Sequence, residues 1–110
     1  MKTSNFSKSS DLPNVISIAS KDPNWYYGDR YPDLAPPMDL IGRYKRGEIN
    51  DEEYTKEYAS RVLNKLNAQD VYDELEDKVL LCWCAKGKFC HRRLVAKWIE
   101  SEIGIKVEEL

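Results

Sequence analysis

The side chains most able to carry chemistry lie close together near the C-terminus. They are Cys82, Cys84, Cys90, His91 and Arg92. A thiol at a helix N-terminus, next to a histidine and arginines, is favoured as the reactive thiolate. Imidazole exchanges protons near neutral pH. The pattern therefore predicts Cys90 and His91 as candidate catalytic groups. The alternatives are a small buried cysteine that closes the helix against a sheet and a histidine that caps the loop.

The same segment forms a basic stretch in an otherwise acidic half of the chain. Residues 86–93 hold four cations and no acid. A strand, a turn containing glycine and a helix N-terminus together favour anion binding. The guanidinium fork of Arg92 matches a carboxylate or phosphate, so we expect Arg92 to clamp an anion from the surface side. Lys86 and Lys88 are predicted as further ligand-binding residues. The alternative is an exposed arginine paired with a nearby acid.

Four possible metal ligands occur in this segment, in the spacing C-x-C-x5-C-H. Zinc sites usually contain a pair of cysteines separated by two to four residues. We also expect the adjacent Cys90 and His91 to be poorly placed to ligate one ion together. The spacing therefore predicts no metal site, and the sequence indicates no cofactor.

A second candidate segment is the long irregular stretch at residues 21–37, which contains four prolines and one glycine. Long loops in small domains are often functional. Its rings can stack on a planar group, so Trp25, Tyr26 and Tyr31 are predicted as ligand-binding residues. The alternatives are that these rings hold the loop to its own domain or that they contact a protein partner.

Hydrophobic patterning predicts the elements that must position these segments. Two apolar, β-branched runs at residues 15–19 and 79–84 are typical of buried, neighbouring parallel strands. Helical spacing, a capping box and a terminal glycine predict helices at residues 37–46, 50–66, 68–75 and 91–102. Short strands are expected around residues 3–7, beside the 15–19 strand, and at 105–107.

This order predicts an α/β fold, with a small, mostly parallel sheet flanked by helices in a single, three-layer-like domain over residues 1–110. Ligands of such sheets bind outside the carboxyl ends of the strands. The two candidate segments would meet there.

Composition and charge argue against several classes of function. The chain has 110 residues and a net charge of −2, which argues against a nucleic-acid binder that depends on bulk positive charge. No apolar run is long enough to span a bilayer. Three clustered cysteines do not form a disulfide framework, and no signal peptide is apparent, so we expect a cytoplasmic protein.

Three segments resemble a bacterial and phage family known as domain of unknown function 488, in its short, single-domain form. They are residues 16–26, residues 31–45 and residues 80–98, the last containing Leu-Leu-Cys and Cys-His-Arg. The resemblance implies a small α/β fold and marks Cys82, Cys90, His91 and Arg92 as motif positions. Cys84 departs from the pattern, since an acidic residue, usually Glu, is expected there.

These observations lead to two functional hypotheses. The first is a domain that binds a small anionic ligand, nucleotide-like or phosphorylated, between the two loops; whether it is an enzyme stays open. The second is a non-enzymatic protein-interaction module, a phage or accessory protein, that uses the aromatic loop at residues 24–37.

Overall fold

The computed structural model describes residues 1–84 and 88–110, and its centre is a parallel sheet. The strands are β1 (Lys2–Asn5), β2 (Val15–Ser17), β3 (Asp29–Arg30), β4 (Val79–Cys82) and β5 (Glu108–Glu109). They lie in the order β3-β2-β4-β1-β5, and every neighbouring pair is parallel. This arrangement confirms the predicted α/β class.

The pairing of β2 with β4 is the one expected from the two apolar runs. Val15 lies opposite Val79, and Ser17 lies opposite Leu81. Both strands are buried along their whole length. Strands covered on both faces must be apolar on both, which explains why these runs do not alternate.

The shorter strands were predicted less well. The first strand pairs with β4 and β5, not with β2 as expected. The last strand lies at residues 108–109 rather than 105–107, and β3 was not anticipated. Such two- to four-residue strands are held by backbone hydrogen bonds, which every residue type can make, so side-chain pattern says little about their place.

The helices are α1 (Phe6–Ser9), α2 (Met38–Lys45), α3 (Asp51–Arg61), α4 (Ala68–Leu75) and α5 (His91–Ile103). The helix predicted over residues 50–66 ends early, at Arg61, because the backbone of Val62 leaves the helical region (φ −122°, ψ −68°). A 3-10 turn at Leu63–Lys65 follows. In the described residues, no helix is long and apolar enough to cross a membrane.

The two faces of the sheet are covered unequally. Helices α2 to α5 pack on one face, in a core that contains Ile16, Leu80 and Tyr58. The opposite face is covered by a smaller cluster around Phe6 and Tyr26. The third layer is therefore the short α1 and part of the loop that follows β2.

Helices α2 and α3 are tied together by ion pairs on their outer sides. Arg61 makes a two-pronged contact with Asp39, at 2.7 and 2.9 Å. Arg43 approaches Glu57 to 2.5 Å. These contacts set the relative position of the two helices.

We expect Asn50→Ala to lower the free energy of unfolding by about 1 kcal/mol, because the Asn50 side chain caps the backbone N–H of Glu53 at the start of α3. Urea denaturation measures the loss. Lys56→Ala, on the same helix, removes an exposed pair with Glu52 and should cost less than about 0.5 kcal/mol. Equal losses in the two variants would contradict the capping argument.

The hydrogen bond from Arg61 holds the pKa of Asp39 below its usual range. A carboxylate with a lowered pKa stabilises the fold above its unfolded pKa, and this contribution is lost as the pH falls through its folded pKa. In Arg61→Gln, the NMR titration midpoint of Asp39 should therefore rise. Arg46→Gln, which removes a pair with Glu48, is the control. An unchanged midpoint in Arg61→Gln would disprove the assignment.

Candidate functional site

A cavity of about 500 Å³ opens at the carboxyl ends of β2 and β4. Its volume falls within the range of small-molecule sites, roughly 300 to 1,000 Å³. The cavity is lined by Ala19, Ser20, Lys21, Pro36, Met38, Ile41, Tyr44, Lys45, Tyr54, Cys82, Trp83, Cys84, Phe89, Cys90 and His91. Its place at the sheet edge is the one expected from the topology.

One wall of the cavity is a cluster of rings contributed by α2, α3 and the segment before α5. The ring of Phe89 lies 5.4 Å from those of both Tyr44 and Tyr54. On another side, the indole N–H of Trp83 donates to the carbonyl of Lys21 at 2.6 Å. That bond joins the loop after β4 to the loop after β2. The walls are therefore rigid, planar and largely apolar.

Apart from the cysteine thiols, the charged side chains among the described lining residues are lysines. Lys21 and Lys45 line the cavity, and none of the described lining residues is acidic. Helix α5 begins at His91, so the positive end of its dipole is directed toward the same space. The electrostatics favour an anionic occupant.

His91 is held in a single orientation. Its Nε2 lies 2.8 Å from the carbonyl oxygen of Ile18, which can only accept, so Nε2 carries the proton. Its Nδ1 lies 3.7 Å from Cys90 Sγ and offers a lone pair. Burial lowers the pKa of His91 to about 4, so the ring is neutral at neutral pH.

Two of the three thiols form a hydrogen-bonded pair. Cys82 Sγ and Cys90 Sγ are 2.6 Å apart and buried, whereas Cys84 is partly exposed. Hydrogen bonds from Cys82 and then Cys90 lower the pKa of the Cys84 thiol, and the corresponding bonds raise the pKa of the other two thiols. In such a coupled cluster one sulfur holds the negative charge while the others keep their protons.

Arg92 is not on the surface, and that expectation is wrong. Its side chain is 0 % exposed. It does reach the carboxyl end of β4, where Nη1 donates to Cys82 Sγ at 2.8 Å and to the Cys84 carbonyl at 2.6 Å. Its Nε lies 3.3 Å from Glu109. The side chain is drawn inward because the thiols and a carboxylate partner its charge there. Its role as an anion clamp stays a prediction.

The predicted loop aromatics do not line the cavity. Tyr26 is buried 5.2 Å from the ring of Phe6, and its hydroxyl donates to the Asp29 carbonyl. Trp25 also packs on Phe6, at 6.4 Å. Tyr31 is partly buried and packs against the main core. These contacts hold the loop to its own domain, which was one of the alternatives.

Neither Lys86 nor Lys88, the two lysines predicted to bind the ligand, is among the described residues that line the cavity. Lys86 lies outside the described residues. Lys88 is exposed and is not among the residues that line the cavity.

Sequence reasoning missed most of the cavity walls. Tyr54 belongs both to the core and to the cavity wall. Phe89 lies next to Cys90, and this adjacency was a usable signal. Lys21 and Lys45 gave no sequence signal, because isolated surface lysines are common.

The donor atoms of Cys82, Cys90 and His91 lie within 4.8 Å of one another. The expectation that the adjacent Cys90 and His91 are poorly placed to serve one ion does not hold in this geometry. The backbone of Cys90 is extended and that of His91 is helical, so their side chains can converge.

Arg92→Ala should lower the free energy of unfolding by about 3–5 kcal/mol, because it leaves buried partners of a charge unpaired. Arg93→Ala is the matched control. Arg93 is adjacent and pairs with the same Glu109 at 3.4 Å, but its side chain is 45 % exposed, so its loss should cost less than about 1 kcal/mol. Chemical denaturation compares the two. Similar losses would show that the burial of Arg92 has no energetic consequence.

Comparison with known proteins identifies the family. A family model described as DUF488-N3a, the active DUF488-N3 subclade, matches residues 8–103. Searches of curated proteins and of solved structures found no match. The matched range includes β2, β4, α5 and every described residue of the cavity. The chain therefore belongs to the DUF488 family, in its DUF488-N3a subclade.

Proposed function

We propose that this protein binds a small, planar, anionic ligand of the nucleotide type in the cavity at the carboxyl ends of β2 and β4. The observation that carries the proposal is an aromatic-walled cavity that contains two lysines and, among the described lining residues, no carboxylate. Its volume of about 500 Å³ is adequate for a mononucleotide.

The aromatic wall of the cavity is the basis for proposing that the ligand has a planar part. Tyr44, Tyr54 and Phe89 already contact one another, so their rings are ordered before a ligand arrives. Stacking of a base on such a ring contributes about 1–3 kcal/mol. Because the rings are preorganised, little of this stacking free energy is lost in ordering side chains when the ligand binds.

Lys21, Lys45 and helix α5 are the basis for proposing that the ligand is anionic. Lys21 follows β2 and Lys45 ends α2, so they approach the cavity from two elements. The N-terminus of α5 adds a favourable dipole. A phosphate would then lie near these groups while the base occupies the aromatic wall.

Catalysis by Cys90 and His91 is a second candidate function. The observation that favours it is the 3.7 Å contact between Cys90 Sγ and the lone pair of His91 Nδ1, with His91 oriented by Ile18. A nucleophile, a base and a group that orients the base form a recurrent catalytic arrangement. The description of the matched subclade as active agrees with this proposal.

A protein-interaction role for residues 24–37 stays a prediction. It is supported by the exposure of Tyr27, at 92 %, and of Trp25, at 52 %. Neither side chain lines the cavity, so the two roles can be tested separately.

The ligand proposal is tested with the four common nucleoside 5′-monophosphates, the matching nucleosides and inorganic phosphate in a thermal-shift assay. At 100 times its dissociation constant, a bound nucleotide should stabilise the fold by about 2.7 kcal/mol. The nucleoside and phosphate should each bind more weakly, because each makes half of the contacts. No stabilisation by any of the nucleotides would contradict the proposal.

Variants then locate the site. Phe89→Leu and Lys45→Ala should each weaken binding of the nucleotide about tenfold in calorimetry, which corresponds to about 1.4 kcal/mol. Trp25→Ala and Lys56→Ala lie outside the cavity and serve as controls. If Trp25→Ala weakens binding and Phe89→Leu does not, the ligand lies at the aromatic loop instead.

A further inference from the structure

Two sulfurs and one ring nitrogen converge on one side of the cavity, and a third cysteine lines it nearby. We propose that Cys82, Cys84, Cys90 and His91 bind one zinc ion, which ties the end of β4 to the start of α5. The donor atoms of Cys82, Cys90 and His91 lie within 4.8 Å of one another. Cys84 follows Cys82 by two residues, lines the same cavity and is partly exposed, so its side chain can rotate toward these donors. This site is independent of the proposed ligand-binding function.

The orientation of His91 is that of a metal ligand. Histidines that bind metals almost always donate their second ring N–H to a carboxylate, a backbone carbonyl or a water. Here Nε2 lies 2.8 Å from the Ile18 carbonyl, which leaves the lone pair of Nδ1 directed at the sulfurs. The ring needs no rotation to bind an ion.

The donor set is typical of zinc. Three cysteines and one histidine form a tetrahedral site with Zn–S distances of about 2.3 Å. Tetrahedral geometry at that distance separates two sulfurs by about 3.8 Å. Cys82 Sγ and Cys90 Sγ, now 2.6 Å apart, must therefore move apart by roughly 1 Å. A rotation of the partly exposed Cys84 side chain completes the set.

The charges also balance. Zinc displaces the two remaining thiol protons to the solvent, and the resulting complex of Zn²⁺ with three thiolates and a neutral imidazole has one negative charge. Arg92 Nη1 lies 2.8 Å from Cys82 Sγ and supplies the compensating positive charge. A buried ion complex requires such a partner. No electron transfer is involved.

The geometry of Cys82 and Cys90 suits metal binding better than nucleophilic attack on a substrate. Cys82 and Cys90 are both buried, so a substrate atom would have difficulty reaching them. A metal ion needs to enter only once. Four protein ligands make a closed site with a structural role.

The test uses the full chain, reduced, incubated with zinc chloride and freed of loose metal by gel filtration. Mass spectrometry of the metal content should find about one zinc per chain in the wild type. Cys82→Ser and Cys90→Ser should retain less than about a tenth of this. Lys45→Ala is the matched control, since it lines the cavity without donating a ligand. It should keep its zinc even though it binds the nucleotide about tenfold more weakly, so the two proposals can fail separately.

A second measurement uses only the wild type, so its result does not depend on whether the cysteine variants fold. Cobalt(II) added to the wild type should give the visible bands of tetrahedral cobalt and the near-ultraviolet band of cobalt–thiolate bonds. Zinc should then remove both. A wild type that holds neither metal, zinc retained by both serine variants, or a Cys82–Cys90 disulfide formed under these reducing conditions would overturn the proposal.

Discussion

The parallel pairing of β2 with β4 determines where the cysteines, the histidine and the two loops of the site lie. Ile18 extends β2, and its N–H donates to the Leu81 carbonyl at 3.0 Å. The pairing therefore places the Ile18 carbonyl beside the end of β4, where it orients His91. The loops after the two strands are brought together in the same way, and the bond from Trp83 to Lys21 joins them. Without this pairing the cysteines would have neither a fixed imidazole nor an enclosing cavity.

The burial of Arg92 is the second constraint. A guanidinium is tolerated inside a protein when its donors are matched by acceptors. Arg92 meets this requirement through Cys82, Cys84 and Glu109, which belong to two separate parts of the chain, the end of β4 and β5. The edge strand β5 is thereby connected to the end of β4 through one side chain. Arg92 is not among the residues that line the cavity, but it contacts the lining cysteine Cys82.

The cavity combines two kinds of recognition in a small volume. Its rings and lysines suit a planar anion, whereas its thiols and imidazole suit a soft metal ion or a covalent step. The two sets come from different elements: α2 and α3 supply most of the rings, and the end of β4 and start of α5 supply the sulfurs. The ion pairs between α2 and α3 join the two helices that carry Tyr44 and Tyr54.

Local pattern was sufficient to predict the two central strands and most helix bounds, because apolar runs and caps are properties of short segments. The family resemblance was confirmed by a family model that matches residues 8–103. The tertiary structure decided which residues surround the cysteines. Tyr44, Lys45 and Tyr54 are distant in sequence from the cysteines, and only the packing of α2 and α3 brings them to the cavity. Likewise, the sequence marked Arg92 as a cation, but its inward direction depends on Glu109 and on the end of β4, which meet it only after the sheet has formed.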